Sequence, residues 1–516
     1  MKRVIFLFVV LMTMLVLPSL TLAAVWYVDA AAPGGGGTSW ASAFKTIQQA
    51  VDAAGSGDEI WVKRGTYLLG ATVTVGKAIS LYGGFNGSET SLEQRNWTLN
   101  VTRVDGNNAV RCFLVTSGNV TVDGFTITRG RTTGVDRGGG LCMNVTGTAG
   151  VSVANCIFLD NRSVDDSGGG MYVQRGHADL SDCTFRGNTS DNRGGAVYVY
   201  YTESVSFGTA DITHCDFDQN SSGSGGALFF KGGTGSGPNS VVGCSFTANR
   251  AYSDAGSNDG AAIVCDPTTT ISGCSFVGNT ATRYGTIATY GDAGNTITVA
   301  SSVFAGNEVR YGGGICINGS MGFLGSVIVT NCTFSGNTAS SGGGAIYTLK
   351  ALGASSQFAI TNSVLWGDSG NEIAVGGSGG LPTVRYSDMD QDGYAGSNGN
   401  IRQAPLFVSA SDLHLTSASP CIDRGSNSAP SLPAQDIDGE ARILDGDENG
   451  TAVADMGADE LNPGSTPPAW TGATVLPAGE PRSRVRASLA VNALGMLVVP
   501  LVIGVLVTYR RMGRGS

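Results

Sequence analysis

Two short segments carry oxygen ligands at the spacing calcium requires. Asp388-x-Asp390-x-Asp392-Gly393 and Asp445-x-Asp447-x-Asn449-Gly450 place hard donors at positions 1, 3 and 5, with glycine at position 6. The bidentate glutamate that closes such a loop at its last position is missing, since Gly399 and Met456 stand there. Each segment is either a calcium loop or a solvated acidic turn, and the missing ligand favours the turn. Tyr198, Tyr200 and Tyr201 form a second candidate, because an alternating run must turn at least one ring outward, where sugars or proteins stack on it. Packing is the plainer role for these rings.

Groups that could do acid–base work are sparse. The chain holds only three histidines, His177, His214 and His414, and one adjacent aspartate pair, Asp165-Asp166, which reads as a solvated loop before a glycine corner. No catalytic residue is assigned. Gly70-x₅-Gly76-Lys77-Ala misses the phosphate-loop spacing and lacks its Ser/Thr. Gly376-Gly-Ser378-Gly-Gly380 mimics a nucleophile elbow but lies in low-complexity sequence.

Eleven cysteines invite a disulfide framework or a metal site. Their positions argue otherwise. Six of them open a phrase, Cys/Ser-x-Phe-x-x-Asn, that occurs seven times, starting at residues 156, 183, 215, 244, 274, 302 and 332. Serine fills the slot at Ser302 and in a degenerate copy at Ser363, as at a small core position. Side chains stacked in register run parallel, which is poor geometry for bridging. The thiols are expected to be mostly free and buried, acting as small hydrophobes. Zinc is not expected, as there is no Cys-x-x-Cys. The repeat asparagines create sequons such as Asn188-Thr-Ser190 and Asn331-Cys-Thr333, but a stacked corner position that tolerates left-handed turns explains them better than glycosylation.

What positions these residues is the repeat itself. In Val151-Ser-Val153-Ala-Asn155-Cys156-Ile-Phe158, apolar residues alternate over short runs, with Asn155 resetting the phase. That is strand periodicity. A second landmark is a glycine corner before an apolar run, as in Gly168-Gly-Gly-Met171, Gly194-Gly-Ala-Val197, Gly225-Gly-Ala-Leu228, Gly312-Gly-Gly-Ile315 and Gly342-Gly-Gly-Ala-Ile346. Strands and corners repeating with no helix between them make a solenoid in which like residues stack ~4.8 Å apart. The expected fold is all-β: a right-handed parallel β-helix of about twelve coils between residues 60 and 408. An N-terminal helix with Phe44, Ile47, Val51 and Ala54 on one face is expected to plug its open end. His214 falls at the Asn155-type turn position and is read as structural.

Phe-x-x-Asn paired with Gly-Gly-Ala-Ile resembles the repeats of chlamydial polymorphic outer-membrane proteins, within the pectin-lyase-like β-helix superfamily, over roughly residues 110–370. Those proteins end in an autotransporter barrel, and nothing in this sequence reads as one. The resemblance implies a surface β-helix. It also brings pectate lyases and polygalacturonases into view, though the polygalacturonase-type Asn-Thr-Asp, Gly-His-Gly and Arg-Ile-Lys motifs are absent. Farther on, Ala404-Pro-Leu-Phe407, His414 to Gly425, Asp436-Ile-Asp438-Gly-Glu-Ala-Arg442 and Asp455-Met-Gly-Ala-Asp459-Glu460 resemble the choice-of-anchor Q domain, which implies surface display.

The ends fit that reading. Lys2 and Arg3 precede an apolar run from Val4 to Val16, and Thr21-Leu-Ala23 suits signal cleavage. Leu489 to Tyr509 is uncharged and long enough to cross a bilayer, with Arg510, Arg511 and Arg514 behind it. The expected order is a signal peptide (1–23), a cap (24–59), the β-helix (60–380) and an anchor-Q-like region (381–461). A proline-rich spacer (462–486), a transmembrane anchor (487–509) and a cytoplasmic tail (510–516) follow. A net charge of −10 with 14% charged residues argues against nucleic acid as a partner. The expected partners are the membrane, through the C-terminal helix, and polysaccharide or other surface proteins. Non-enzymatic adhesion or binding is the leading function. A polysaccharide lyase or glycoside hydrolase and a structural envelope spacer are the alternatives, and calcium is the one cofactor in view.

Overall fold

The computed structural model describes residues 23–465, apart from 146–149, 203–205, 233–236, 253–258, 290–294, 319–324, 350–356 and residue 378. The expected signal peptide, most of the spacer and the expected membrane helix lie outside the described residues. Among the described residues no helix is long and apolar enough to cross a membrane.

The alternating runs are strands, and each pairs in parallel with its counterpart one coil away. A first face runs from Val25–Val28 to Thr383–Arg385, a second from Gly65–Leu68 to Asp388–Met389 and a third from Val73–Val75 to Ile373–Val375. Short two- to five-residue strands, from Arg131–Thr132 to Thr338–Ala339, form a fourth side in eight coils. The chain is thus an all-β parallel solenoid of about ten turns. The expectation of about twelve came from dividing the length as far as Val408. The last strand of the second face ends at Met389, and from residue 404 the chain turns back along the outside.

The repeat phrase is legible in this geometry. Its cysteine and phenylalanine point inward, and the phenyl rings stack from Phe158 to Phe334 at centroid spacings of 4.5–5.1 Å, within 8° of coplanar. The rings sit at the strand spacing because the backbone ladder fixes it. All eleven cysteines are free and buried. The motif asparagines are fully enclosed. Asn188 Nδ2 donates to the Phe158 carbonyl at 2.9 Å and to Asn220 Oδ1 at 3.0 Å, and the pattern repeats coil after coil. Left-handed backbone is not at these asparagines. It falls on the residue before each, such as Asp160, Gly187 and Gln219, and on the residue before each cysteine, such as Asn155, Asp182 and His214. His214 is therefore a turn residue. At the glycine corner Gly194 has φ +60°, and a Cβ on Gly195 would meet the Gly226 carbonyl at 2.2 Å. Backbones of adjacent coils touch there, and only glycine fits.

Near the N-terminus, Thr46 and Gln49 form a capping box for the helix Ile47–Ala53. Ile47, Ala50 and Val51 are buried against the first strands. Phe44 lies before this helix, bridged to Val28, and packs on the core from there. Lys77 closes the other end by donating to the carbonyls of Val51, Asp52 and Ala54.

The C-terminal segment lies on the corner between the first and second faces. Asn331 Nδ2 donates to the Asp455 carbonyl at 2.9 Å, Asn362 Nδ2 to the Ser426 carbonyl at 3.0 Å, and Thr330 Oγ1 to the Pro430 carbonyl at 2.6 Å. Arg442 is buried and donates to Ser301 Oγ at 2.9 Å and to the carbonyls of Gly457, Ala458 and Asp459. Asn331, one of the sequon asparagines, is fully buried beneath this segment, with its side-chain amide donated to the Asp455 and Gly457 carbonyls.

Candidate functional site

The third face carries a row of aromatic side chains on its outer surface. Register aligns Cys142, Tyr172, Tyr198, Phe229, Val264 and Ala288 in one column, outside the core proper. Tyr198 is 2% exposed and packs on Tyr172, Tyr200 and Phe229 at 5.4–5.7 Å. Its role is packing. Tyr200 is half-buried. The backbone of Tyr201 pairs antiparallel with Phe207, and its side chain lies outside what is described.

Four guanidinium groups cover rings of this column and the rings of Tyr284 and Tyr311, which are bridged to each other just before the third-face strands and pack in the same cluster. Arg137 lies 5.2 Å from the Tyr172 ring and 5.5 Å from Tyr200, Arg193 lies over Phe229, Arg283 over Tyr284 and Arg310 over Tyr311. Arg137 also donates to the Tyr172 hydroxyl and to Asp166, so Asp166 is held in an ion pair instead of being freely solvated. Burial pushes the Tyr172 and Tyr198 hydroxyls up, so both stay neutral donors. Guanidinium groups held over buried rings can pair with acidic substituents, and of these rings only the half-buried Tyr200 and Tyr311 leave surface for stacking.

The outer surface of the first face carries a second cluster, which the sequence did not disclose. Parallel register puts His177 over Thr209 and Asp179 over Asp211, with Ser240 next in the aspartate column. His177 Nε2 stands 3.0 Å from Asp179 Oδ1 and 3.4 Å from Asp211 Oδ2. His177 Nδ1 lies 2.8 Å from Thr209 Oγ1, and Ser240 Oγ donates to Asp211 Oδ1. His177 and Asp179 share a face by simple alternation. Asp211 joins them only through the register of the next coil.

The two acidic segments differ. In the first, Asp388 sits in a strand, wholly buried, accepting from the Gln403 amide and the Cys421 thiol. Burial raises its carboxyl to about 6. Asp390 and Asp392 turn the other way, to Arg402. These three carboxylates do not converge. In the second, Asp445 accepts the amides of Asn449 and Gly450, Asp447 accepts that of Asn449, and Asn449 Oδ1 accepts that of Thr451. Asp423, from an earlier loop, comes within ligand distance of Asp445 and Asp447. Asn449 is spent on the turn, and Asp423 is the donor that the spacing rule could not supply.

His414 is buried between carboxylates, 2.6 Å from Asp438 and near Asp459. Burial pulls its pKa down, but the bond to Asp438 and the charges of Asp459 and Asp438 outweigh it and lift the imidazole to about 9. This group ties three parts of the C-terminal segment together.

Fold and repeat together define a parallel β-helix protein. Two segments, residues 182–200 and 331–349, match the family model of the Chlamydia polymorphic membrane protein repeat. Each match runs from the left-handed corner residue through the stacked Phe and Asn to the third-face strand. Among solved structures the chain is similar to pectate lyase Pel9A, with 16% identity, TM-score 0.44, and coverage of 86% of this chain and 98% of that one. It is also similar to a rhamnogalacturonan lyase, with 15% identity, TM-score 0.31, and coverage of 75% and 91%. ORF18 of Geobacillus virus E2 shares 14% identity, with TM-score 0.30 and coverage of 70% and 61%. A search of curated proteins finds no match.

Proposed function

We propose that this chain is a secreted surface protein whose solenoid binds polysaccharide or other surface proteins without cleaving them. The observation that carries this reading is the set of guanidinium groups over aromatic rings along the third face and the corner that leads into it. Such a row presents guanidinium groups at intervals along an axis, backed by buried rings, which suits a linear polymer with acidic substituents or an extended acidic partner. The repeat type supports display at an outer surface. The apolar stretch 487–509 anchors the chain after signal cleavage near Ala23, the anchor-Q-like segment sits between solenoid and anchor, and the helix Ile47–Ala53 closes the open end of the core. Calcium, if bound, sits in the second acidic loop with Asp423, Asp445 and Asp447 as ligands.

A second reading is a polysaccharide lyase or hydrolase, and one observation favours it. Asp179 and Asp211 with His177 are a carboxylate pair and an imidazole on an outward parallel face, as acid–base chemistry on a bound glycan needs. A glycan array with the full-length protein and its Arg310→Ala variant tests the first reading. Glycan binding weakened about tenfold in the variant (~1.4 kcal/mol) supports it. Equal binding by both proteins, or none, removes the stripe as the binding surface.

A further inference from the structure

We propose that His177, Asp179 and Asp211 form a binding site for a divalent first-row transition-metal ion, with Zn²⁺ the best fit. One ligand atom from each residue lies within 4.8 Å of the others. The separations from His177 Nε2, 3.0 Å to Asp179 and 3.4 Å to Asp211, match the edge of a tetrahedral zinc polyhedron. Two ligands each 2.0–2.1 Å from the ion stand about 3.3 Å apart in that geometry.

The donor set selects the metal. An imidazole nitrogen beside two carboxylates suits zinc and its neighbours, whereas calcium and magnesium take oxygen alone. Three protein ligands leave an open position for water or for an oxygen ligand from a glycan or partner protein.

Two partners outside the ligand set make this a built site. With Nε2 on the metal, Nδ1 carries the proton and donates to Thr209 Oγ1 at 2.8 Å, which fixes ring and tautomer. Ser240 Oγ holds Asp211 Oδ1, leaving Oδ2 aimed at the imidazole. The backbone beneath is rigid. Ala178, between His177 and Asp179, and Ala210, between Thr209 and Asp211, are buried in the core, and the ladder locks their coils together. The register neighbour of His177 in the preceding coil is Gly150, so no side chain stacks on the imidazole from that position.

The competing explanation is a histidine ion-paired to two aspartates with no metal. Calorimetric titration of the full-length protein with Zn²⁺ at neutral pH separates them, with Co²⁺ absorption as a second readout. One equivalent should bind, and His177→Ala and Asp211→Asn should each weaken it at least tenfold. Thr209→Val, which keeps every ligand, should weaken it by about tenfold. The Co²⁺ spectrum should show ligand-field bands without an intense thiolate band. Absence of uptake at millimolar Zn²⁺, unchanged affinity in the His177 and Asp211 variants, or a thiolate band would each overturn the proposal.

Discussion

Asn337 donates its side-chain amide to Oδ1 of Asp368 at 2.8 Å, so the asparagine ladder ends on a carboxylate. Seven asparagines, from Asn161 to Asn337, pass the same bond from coil to coil before it reaches Asp368. Asp368 in turn faces Glu372, whose Oε1 accepts the Asp368 amide. Burial and the Asp368 charge push Glu372 up to about 10, and burial raises Asp368 to about 6. At neutral pH the pair holds one proton.

That proton has a consequence for stability. The fold keeps Glu372 protonated above pH 4.5, where the unfolded chain releases the proton. Stability therefore falls as pH rises from about 4.5 towards about 10. Glu372→Gln should remove this slope, raising the urea midpoint over wild type at pH 8 while the two converge near pH 4.5. Parallel pH profiles would contradict the assignment.

Within the ladder, Asn220→Ala should be costly. Asn220 donates to the Phe185 carbonyl and to Asn249, and accepts from both the amide and the side chain of Asn188. Orphaning one or two buried groups costs about 2–4 kcal/mol. Urea unfolding measures it, and a loss under about 1 kcal/mol would mean the ladder is not stabilising.

The thiols give a chemical test. All eleven cysteines are free and buried, and burial pushes Cys112 up to about 12. Denatured, unreduced protein should titrate as eleven thiols, and native protein should react slowly or not at all. Fewer than eleven would reveal disulfides.

His414 gives the opposite test of the C-terminal segment. Its pKa is raised to about 9, so its contribution is complete below the unfolded value of 6.5 and is lost as pH rises through about 9. His414→Gln should lower the unfolding midpoint at pH 6 and leave it unchanged at pH 10. A pH-independent loss would point to packing alone.

The architecture was legible because Cys, Phe and Asn recur at one interval and each holds an inward, stacked position. The interval could not place the left-handed residue, because Asp160, Gly187 and Gln219 have no common side chain and the turn asks only for a tolerated backbone. The first acidic segment misled for a related reason. Its spacing is that of a loop, yet the second face continues through Asp388–Met389 and draws Asp388 into the interior. The candidate sites depend on register. Asp211 meets His177 because one coil stacks on the next, and Asp423 meets Asp445 because the C-terminal segment folds back on itself. Neither contact has a local sequence signal.

The most direct test of a binding, non-cleaving solenoid is one experiment with two readouts. The full-length protein is incubated with a panel of polysaccharides, and retention is measured together with the release of reducing ends and unsaturated products. The expected result is retention that Arg310→Ala weakens, with no product from any polymer. Product release that Asp179→Asn abolishes would contradict this reading and establish the first-face cluster as an active site.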